Sequence, residues 1–259
     1  MLTPMSTTRR DEQPTVTPGA GTAVGSFHLV RTSSALTAMA RLGLDRRRLA
    51  RTDGLVFWRL LGTGSGSDTG PGADLRRTAL FALWRDADAL AAFEATMASR
   101  WSDADEVWSV RLRSAGGHGA WRDVAVTDLL EPATGAAGPV AIITRADVRL
   151  RSWRAFRAAG RPVSDELHTA DGLLAVVGIG EAPLGRLGTF SVWRDLAAAR
   201  HFATRLPQHR DVVRRTRTEH WYREELFARF QPYASKGSWD GRDPLAGLVD
   251  RASTGTSIP

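Results

Sequence analysis

The chain offers six histidines and no cysteine. Disulfides, thiolate metal sites, iron–sulfur clusters and cysteine nucleophiles are thereby excluded. No HExxH pair or Walker loop occurs either, so any chemistry rests on single imidazoles, carboxylates and hydroxyls. The densest stretch is PQHRDVVRRTRTEH over 207–220. Pro207 suits a first helical turn, where its missing N–H costs nothing. His209, Val212, Val213, Thr216 and His220 then fall at i, i+3, i+4, i+7 and i+11, one inward stripe. Arg210, Asp211, Arg214, Arg215 and Arg217 lie mostly off it. His209 has two readings, a satisfied core imidazole or a neutral axial ligand to haem iron. The nearby arginines, Arg210 and Arg214 among them, suit haem propionates or anionic lipid, and Val213 is a further cofactor-binding candidate. His220 shares the stripe and is the rival ligand. His201 sits nearer the arginine side of its helix. His28, on a first strand, and His118, expected in the loop SAGGHGAW, have no evident partner.

Other candidates are few. Glu181 closes GIGEAP as a carboxylate at a strand end, with either a solvated or a catalytic role. Thr189 and Ser191 share one face of GTFSVW and are candidates for polar groups near bound oxygen. GTGSGSDTGPG over 62–72 joins two strands and opens no helix, so it lacks the geometry that cradles phosphates. The charge of +7, from 35 basic and 28 acidic residues, is mixed along the chain. Trp and Arg are dispersed and form no single-strand track, which argues against nucleic acid.

The elements that carry these residues come twice. LFALWRDADALAAF at 80–93 and TFSVWRDLAAARHF at 189–202 share Phe81/Phe190, Trp84/Trp193, Arg85/Arg194, Asp86/Asp195 and Phe93/Phe202, each 109 apart by subtraction (193 − 84). Asp53-Gly54 and Asp171-Gly172 match too, offset by 118 (171 − 53). In the first copy, strands are expected at 26–32, 55–62, 79–84 and 107–113, with helices over 33–50 and 87–100. In the second, strands are expected at 138–145, 173–180, 188–193 and 226–230. Its helices cover 152–169, interrupted near Pro162, and the stretch after Asp195. Asp86 and Asp195 read as helix caps. Each copy is then β-α-β-β-α-β, a ferredoxin-like unit, leaving one sheet face apolar. Two sheets packed face to face bury it. The expectation is an α+β chain of two tandem ferredoxin-like units, 25–130 and 137–245, forming a fused pseudo-twofold dimeric α+β barrel.

The motifs GLLAVVGIGEAP, GTFSVWRD, PQHRDVVRRTR, WYREELFARF and GSWDGRDPL, with LGTGSGS…DLRRTALFALWRD in the first copy, together resemble the spheroidene monooxygenase family of carotenoid biosynthesis over roughly 25–245. That resemblance implies a haem b-containing oxygenase. It would oxidise a methylene of an acyclic carotenoid to a hydroxy or keto product with molecular oxygen and external electrons. The histidine of the family's P-Q-H-R stretch falls on His209. A hydrophobic small-molecule substrate and a ferredoxin-type electron donor, docked on basic surface, are the implied partners. Two positions depart from the pattern: Arg186-Leu187 stand where a glutamine is expected, and Thr78 where an aromatic residue is usual. Alternatives are a haem enzyme of the same barrel with other chemistry, aldoxime dehydration or peroxide use, and a non-catalytic haem-binding protein.

Residues 1–24, rich in Thr, Pro and Gly, and 246–259 are expected to be loose tails. The first has no apolar core of the kind a signal peptide needs. The longest apolar run, GLLAVVGIG at 172–180, is far short of a membrane span. With no cysteine, the expected compartment is cytoplasmic, with room for peripheral membrane contact. The oligomeric state is left open.

Overall fold

A computed structural model describes residues 22–64, 73–135, 137–181, 185–205, 215–216 and 218–251. The first unit runs β1 (Val24–Arg31), α1 (Ala35–Leu49), β2 (Leu55–Gly64), β3 (Ala73–Trp84), α2 (Ala87–Arg100) and β4 (Glu106–Gly119). A short helix, α3 (Val126–Leu129), lies in the connection to the second unit. The second unit runs β5 (Val140–Val148), α4 (Trp153–Leu167), β6 (Leu173–Glu181), β7 (Arg186–Trp193), α5 (Leu196–Arg205) and β8 (Tyr222–Gly237). A two-residue strand, β9 (Asp250–Arg251), follows.

Strand order is β4-β1-β3-β2-β6-β7-β5-β8, and β4 also pairs with β8, so eight strands close into a barrel. Each half keeps the ferredoxin-like order, and the chain is the expected α+β fused barrel. The two seams between units differ. β4 and β8 pair from Trp108↔Gly237 to Gly119↔Leu226, whereas β2 and β6 meet only at Gly62↔Gly180 and Thr63↔Ile179.

The repeated sequence makes the same junction twice. Gly54 (φ 72°) and Gly172 (φ 79°) are left-handed, and their carbonyls accept from Arg85 N at 2.7 Å and Arg194 N at 2.8 Å. A Cβ on either glycine would overlap the Cβ of Ala89 or Ala198. Those alanines donate their backbone N–H to the capping carboxylates, Asp86 at 2.8 Å and Asp195 at 2.7 Å. The Asp-Gly turn and the Trp-Arg-Asp cap are thus one device, locking a strand end to a helix start.

Alternation along the strands sends one face inward. Phe27, Phe57, Phe81, Val110, Ile143, Val177, Phe190, Val192 and Phe230 fill the barrel, with Trp121 and Trp239 in the same cluster. Phe27 and Phe190 stack with centroids 3.8 Å apart. The interior is a packed core.

Several expectations are corrected. Helix α4 continues through Pro162. His118 lies on β4, not in a loop: a Cβ on Gly117 or Gly119 would meet the carbonyls of Phe227 or Glu225, so these glycines permit close strand approach. Residues placed in the expected tails are packed. Ala23 is fully buried, Val249 packs on the core, and Asp250 pairs in parallel with Ala234. Among the described residues no helix is long and apolar enough to cross a membrane.

Candidate functional site

The outward face of each sheet packs against its own helices, and here the two units part. In the first, Val24, Leu49, Leu55, Trp58, Leu80, Ala82, Trp84, Leu90, Phe93 and Met97 are buried, Leu60, Ala89 and Trp101 are covered in part, and a small cavity is lined by Leu49, Leu80, Phe93 and Met97. In the second, Val140, Ile142, Leu167, Trp193, Ala198 and Ala199 are buried, while Leu173, Val176, Leu196, Phe202 and Phe227 are covered only in part. The contrast holds between duplicated positions: Phe93 is buried and Phe202 is half-exposed. On the same face Thr189 is half-buried and Thr144 exposed. Among the described residues, the second unit therefore has an apolar layer that its helices do not fill.

Thr189 and Ser191 share this face of β7, as expected. Thr189 pairs with Thr144 and Gly178, and Ser191 with Ile142 and Val176. Ser191 Oγ accepts from Trp193 Nε1 at 3.0 Å, which leaves the hydroxyl proton available to donate. In the first unit Ser26 Oγ is held by Trp84 Nε1 at 2.8 Å and lies 2.9 Å from His28 Nε2. His28 is fully buried, against Phe93 and Trp101, and its Nδ1 has no partner. Burial pushes its pKa down to about 4; Glu94 opposes that shift and Arg111 adds to it.

His209, Arg210, Val213 and Arg214 lie outside the described residues. His220 is not on an inward stripe. Arg215, Thr216 and Thr218 are helical, but the chain turns at Glu219 and His220, and His220 is exposed with φ 49°. His201 is exposed on α5, as its place beside the arginines suggested. His118 was the overlooked residue. It pairs with Phe227 across the long seam, and the two rings stack with centroids 5.5 Å apart. Phe227 belongs to the incompletely covered layer, so an imidazole of the first unit stands at the edge of the second unit's face. The Gly-Gly-His-Gly spelling concealed the strand that carries it.

Glu181 is not a solvated turn carboxylate. Its side chain is only 6 % exposed. It accepts from Trp121 Nε1 at 2.6 Å, Arg122 Nη2 at 2.9 Å and Arg145 Nε at 3.3 Å, with Arg59 Nε 3.9 Å away. Glu224 extends the cluster, accepting from Arg145 and from the backbone N–H groups of Arg122 and Asp123 at 3.0 Å each. Burial alone would raise the pKa of Glu181, but the Trp121 hydrogen bond and the charges of Arg145, Arg122 and Arg59 outweigh it and hold the pKa below the usual value. Arg59 is lowered to about 10, mainly by burial. An ionised carboxylate so fully engaged bridges strands β2, β5 and β6.

Among the described residues no group of three or more His, Asp and Glu side chains could hold a bare metal ion. A haem needs only one protein ligand and an apolar slot. The partly covered Val176, Phe202 and Phe227, beside the buried Ile142 and Trp193 and the hydroxyls of Ser191 and Thr189, have the chemistry to fit such a group.

Among curated proteins the chain is 32 % identical over 235 residues to a spheroidene monooxygenase of Rhodobacter capsulatus, covering 87 % of this chain and 97 % of that protein. A spheroidene monooxygenase of Rubrivivax gelatinosus is 33 % identical over 192 residues, 73 % of each chain. One of Cereibacter sphaeroides is 30 % identical over 193 residues, 73 % of this chain, and the match spans 59 % of its length. No family model matches. Among solved structures, an aldoxime dehydratase superposes with a TM-score of 0.56 at 13 % identity, covering 81 % of both chains. A second, in complex with butyraldoxime, gives 0.54 at 12 % identity, covering 83 % of this chain and 84 % of that one. These two likenesses concern the fold.

Proposed function

The chain belongs to the spheroidene monooxygenase family, and from that premise we propose that it is a haem-dependent monooxygenase acting on an acyclic polyene. The observation that supports this reading is the second unit's layer of partly covered apolar side chains, Leu173, Val176, Phe202 and Phe227, beside the hydroxyls of Ser191 and Thr189. His209 would ligate the iron, Arg210 and Arg214 would meet the propionates, and Val213 would help line the group's site. Haem bound there would supply oxygen activation. A ferredoxin-type donor is the proposed source of electrons.

The overall chemistry balances. Molecular oxygen, two electrons and two protons place one oxygen atom in a C–H bond of a methylene and release the other as water. A second round at the same carbon gives a geminal diol, which loses water to a ketone. The chain's own contributions are an apolar face that excludes water and the Ser191 hydroxyl. Its Oγ is fixed by Trp193, so its proton can be donated within the layer. His118 stands exposed at the rim of the same face, stacked on Phe227.

The test is reconstitution of the purified protein with hemin. A stable Soret band and a ferrous form that binds carbon monoxide are expected. His209→Ala should remove most of the haem, whereas His201→Ala and His220→Ala should keep it, with circular dichroism unchanged in all three. His118→Ala should keep the haem and lower turnover of an acyclic carotenoid at least about tenfold. Absence of a Soret shift overturns the haem reading. Turnover without oxygen or reductant overturns the oxygenase reading and favours other haem chemistry.

A further inference from the structure

Helix α1 is built inside out. Its buried residues are Ala38 and Leu49, while Leu36, Met39 and Leu44 are 83, 62 and 57 % exposed. Those three make up half of the six exposed large apolar side chains in the described structure. At 100° per residue Leu36, Met39, Ala40, Gly43 and Leu44 share one outer face, and Arg47 and Arg51 continue it. Arg46 and Arg48 flank it, and all four arginines are exposed. Leu75 adds a fourth exposed apolar group near the foot of the helix. Its neighbour Arg76 accepts from Thr32 N at 2.9 Å, three residues before Ala35.

Arginines in a last turn are common, because they complement the helix dipole. They do not explain three large apolar residues facing outward on a helix that buries only Ala38 and Leu49. From Ala35 to Arg51 the helix and its exit carry five arginines and one aspartate, a net +4, with no acid in the first turn. An apolar patch edged by positive charge meets its complement in a surface that is anionic outside and apolar just beneath. We propose that the outer face of α1 docks the protein on an anionic lipid bilayer, with Leu36, Met39 and Leu44 entering the acyl boundary and Arg46, Arg47, Arg48 and Arg51 meeting headgroup phosphates. Docking of this kind stands apart from the haem site and does not depend on it.

The test uses the full-length protein and phosphatidylcholine vesicles with or without roughly a third of phosphatidylglycerol. The wild-type chain should co-sediment with the anionic vesicles, weakly with neutral ones, and less as salt rises. Leu36→Ser with Met39→Ser and Leu44→Ser, and separately Arg47→Glu with Arg51→Glu, should each weaken anionic-vesicle binding at least about tenfold. Both target exposed positions, so melting temperatures should hold. Should either variant unfold, Leu36→Cys labelled with a polarity-sensitive dye gives a second readout, since the chain has no other cysteine; its emission should shift to the blue on anionic vesicles. Failure of the wild type to bind at low salt, or undiminished binding by both variants, overturns the proposal. So does binding that emerges only after removal of residues 1–21, which makes the chain's own terminus the occupant. A wild-type dimer that the serine variant dissociates, without lipid binding, makes the occupant a second copy.

Discussion

Phe27, on the first strand of one unit, and Phe190, on the third strand of the other, stack inside the barrel with centroids 3.8 Å and planes 4° apart. Both rings are fully buried. The contact makes the two repeats one core, so the halves should not melt separately. Phe190→Ala should cost roughly 3–5 kcal/mol and leave a single transition in urea. Two resolved transitions would mean that the units fold independently.

The duplicated junction can be tested at its glycines. Gly172→Ala demands a left-handed alanine that overlaps Ala198 and should cost roughly 2 kcal/mol or more; Gly54→Ala should cost about as much. Asp195→Ala, which removes only the cap, should lower the melting temperature by a few degrees. Equal melting curves for Gly172→Ala and the parent would refute the claim that this turn holds the strand end to its helix.

His28 makes stability depend on pH. Its value falls from 6.5 to about 4 on folding, chiefly through burial. Between these values the unfolded chain takes up a proton that the folded chain refuses. The stabilisation is full above pH 6.5 and drains away as pH drops towards 4, by roughly 3 kcal/mol in all. His28→Leu should flatten this part of the curve of urea midpoint against pH. An unchanged slope would show that another group carries it.

Glu181 should prove structural. Glu181→Gln strips one negative charge from a buried cluster holding Arg59, Arg122 and Arg145 and should destabilise the fold by roughly 3–5 kcal/mol. Removing Arg145 as well, as Arg145→Met, should recover part of that loss. A Glu181→Gln protein with normal stability and no activity would instead restore the catalytic role.

What could be read from sequence and what could not follow from the range of the interactions. The repeats are local: an Asp-Gly turn and a Trp-Arg-Asp cap act within about one turn of chain, and they gave the two units before any contact was known. The cage around Glu181 joins Arg59, Trp121, Arg122 and Arg145, separated by 36 to 122 positions, and no spacing announces it. His118 was hidden because glycine is ambiguous. The same residue type serves an irregular loop and a strand pressed against its neighbour's carbonyls. Thr189 and Ser191 share their face because strand alternation is strict. That Phe202 stays partly exposed where its duplicate Phe93 is buried depends on how each helix packs, which no spacing records.

The unequal seams give the molecule a mechanical polarity. Along β4 and β8 a long ladder binds the halves, whereas two residue pairs join β2 to β6. A load that spreads the halves meets little backbone resistance on the short side, where the Arg59–Glu181 bridge acts as a tether. Freed from those two pairs, β2 and β6 could part like the covers of a book while the long ladder served as its spine. The barrel is thus stiff on one flank and compliant on the other.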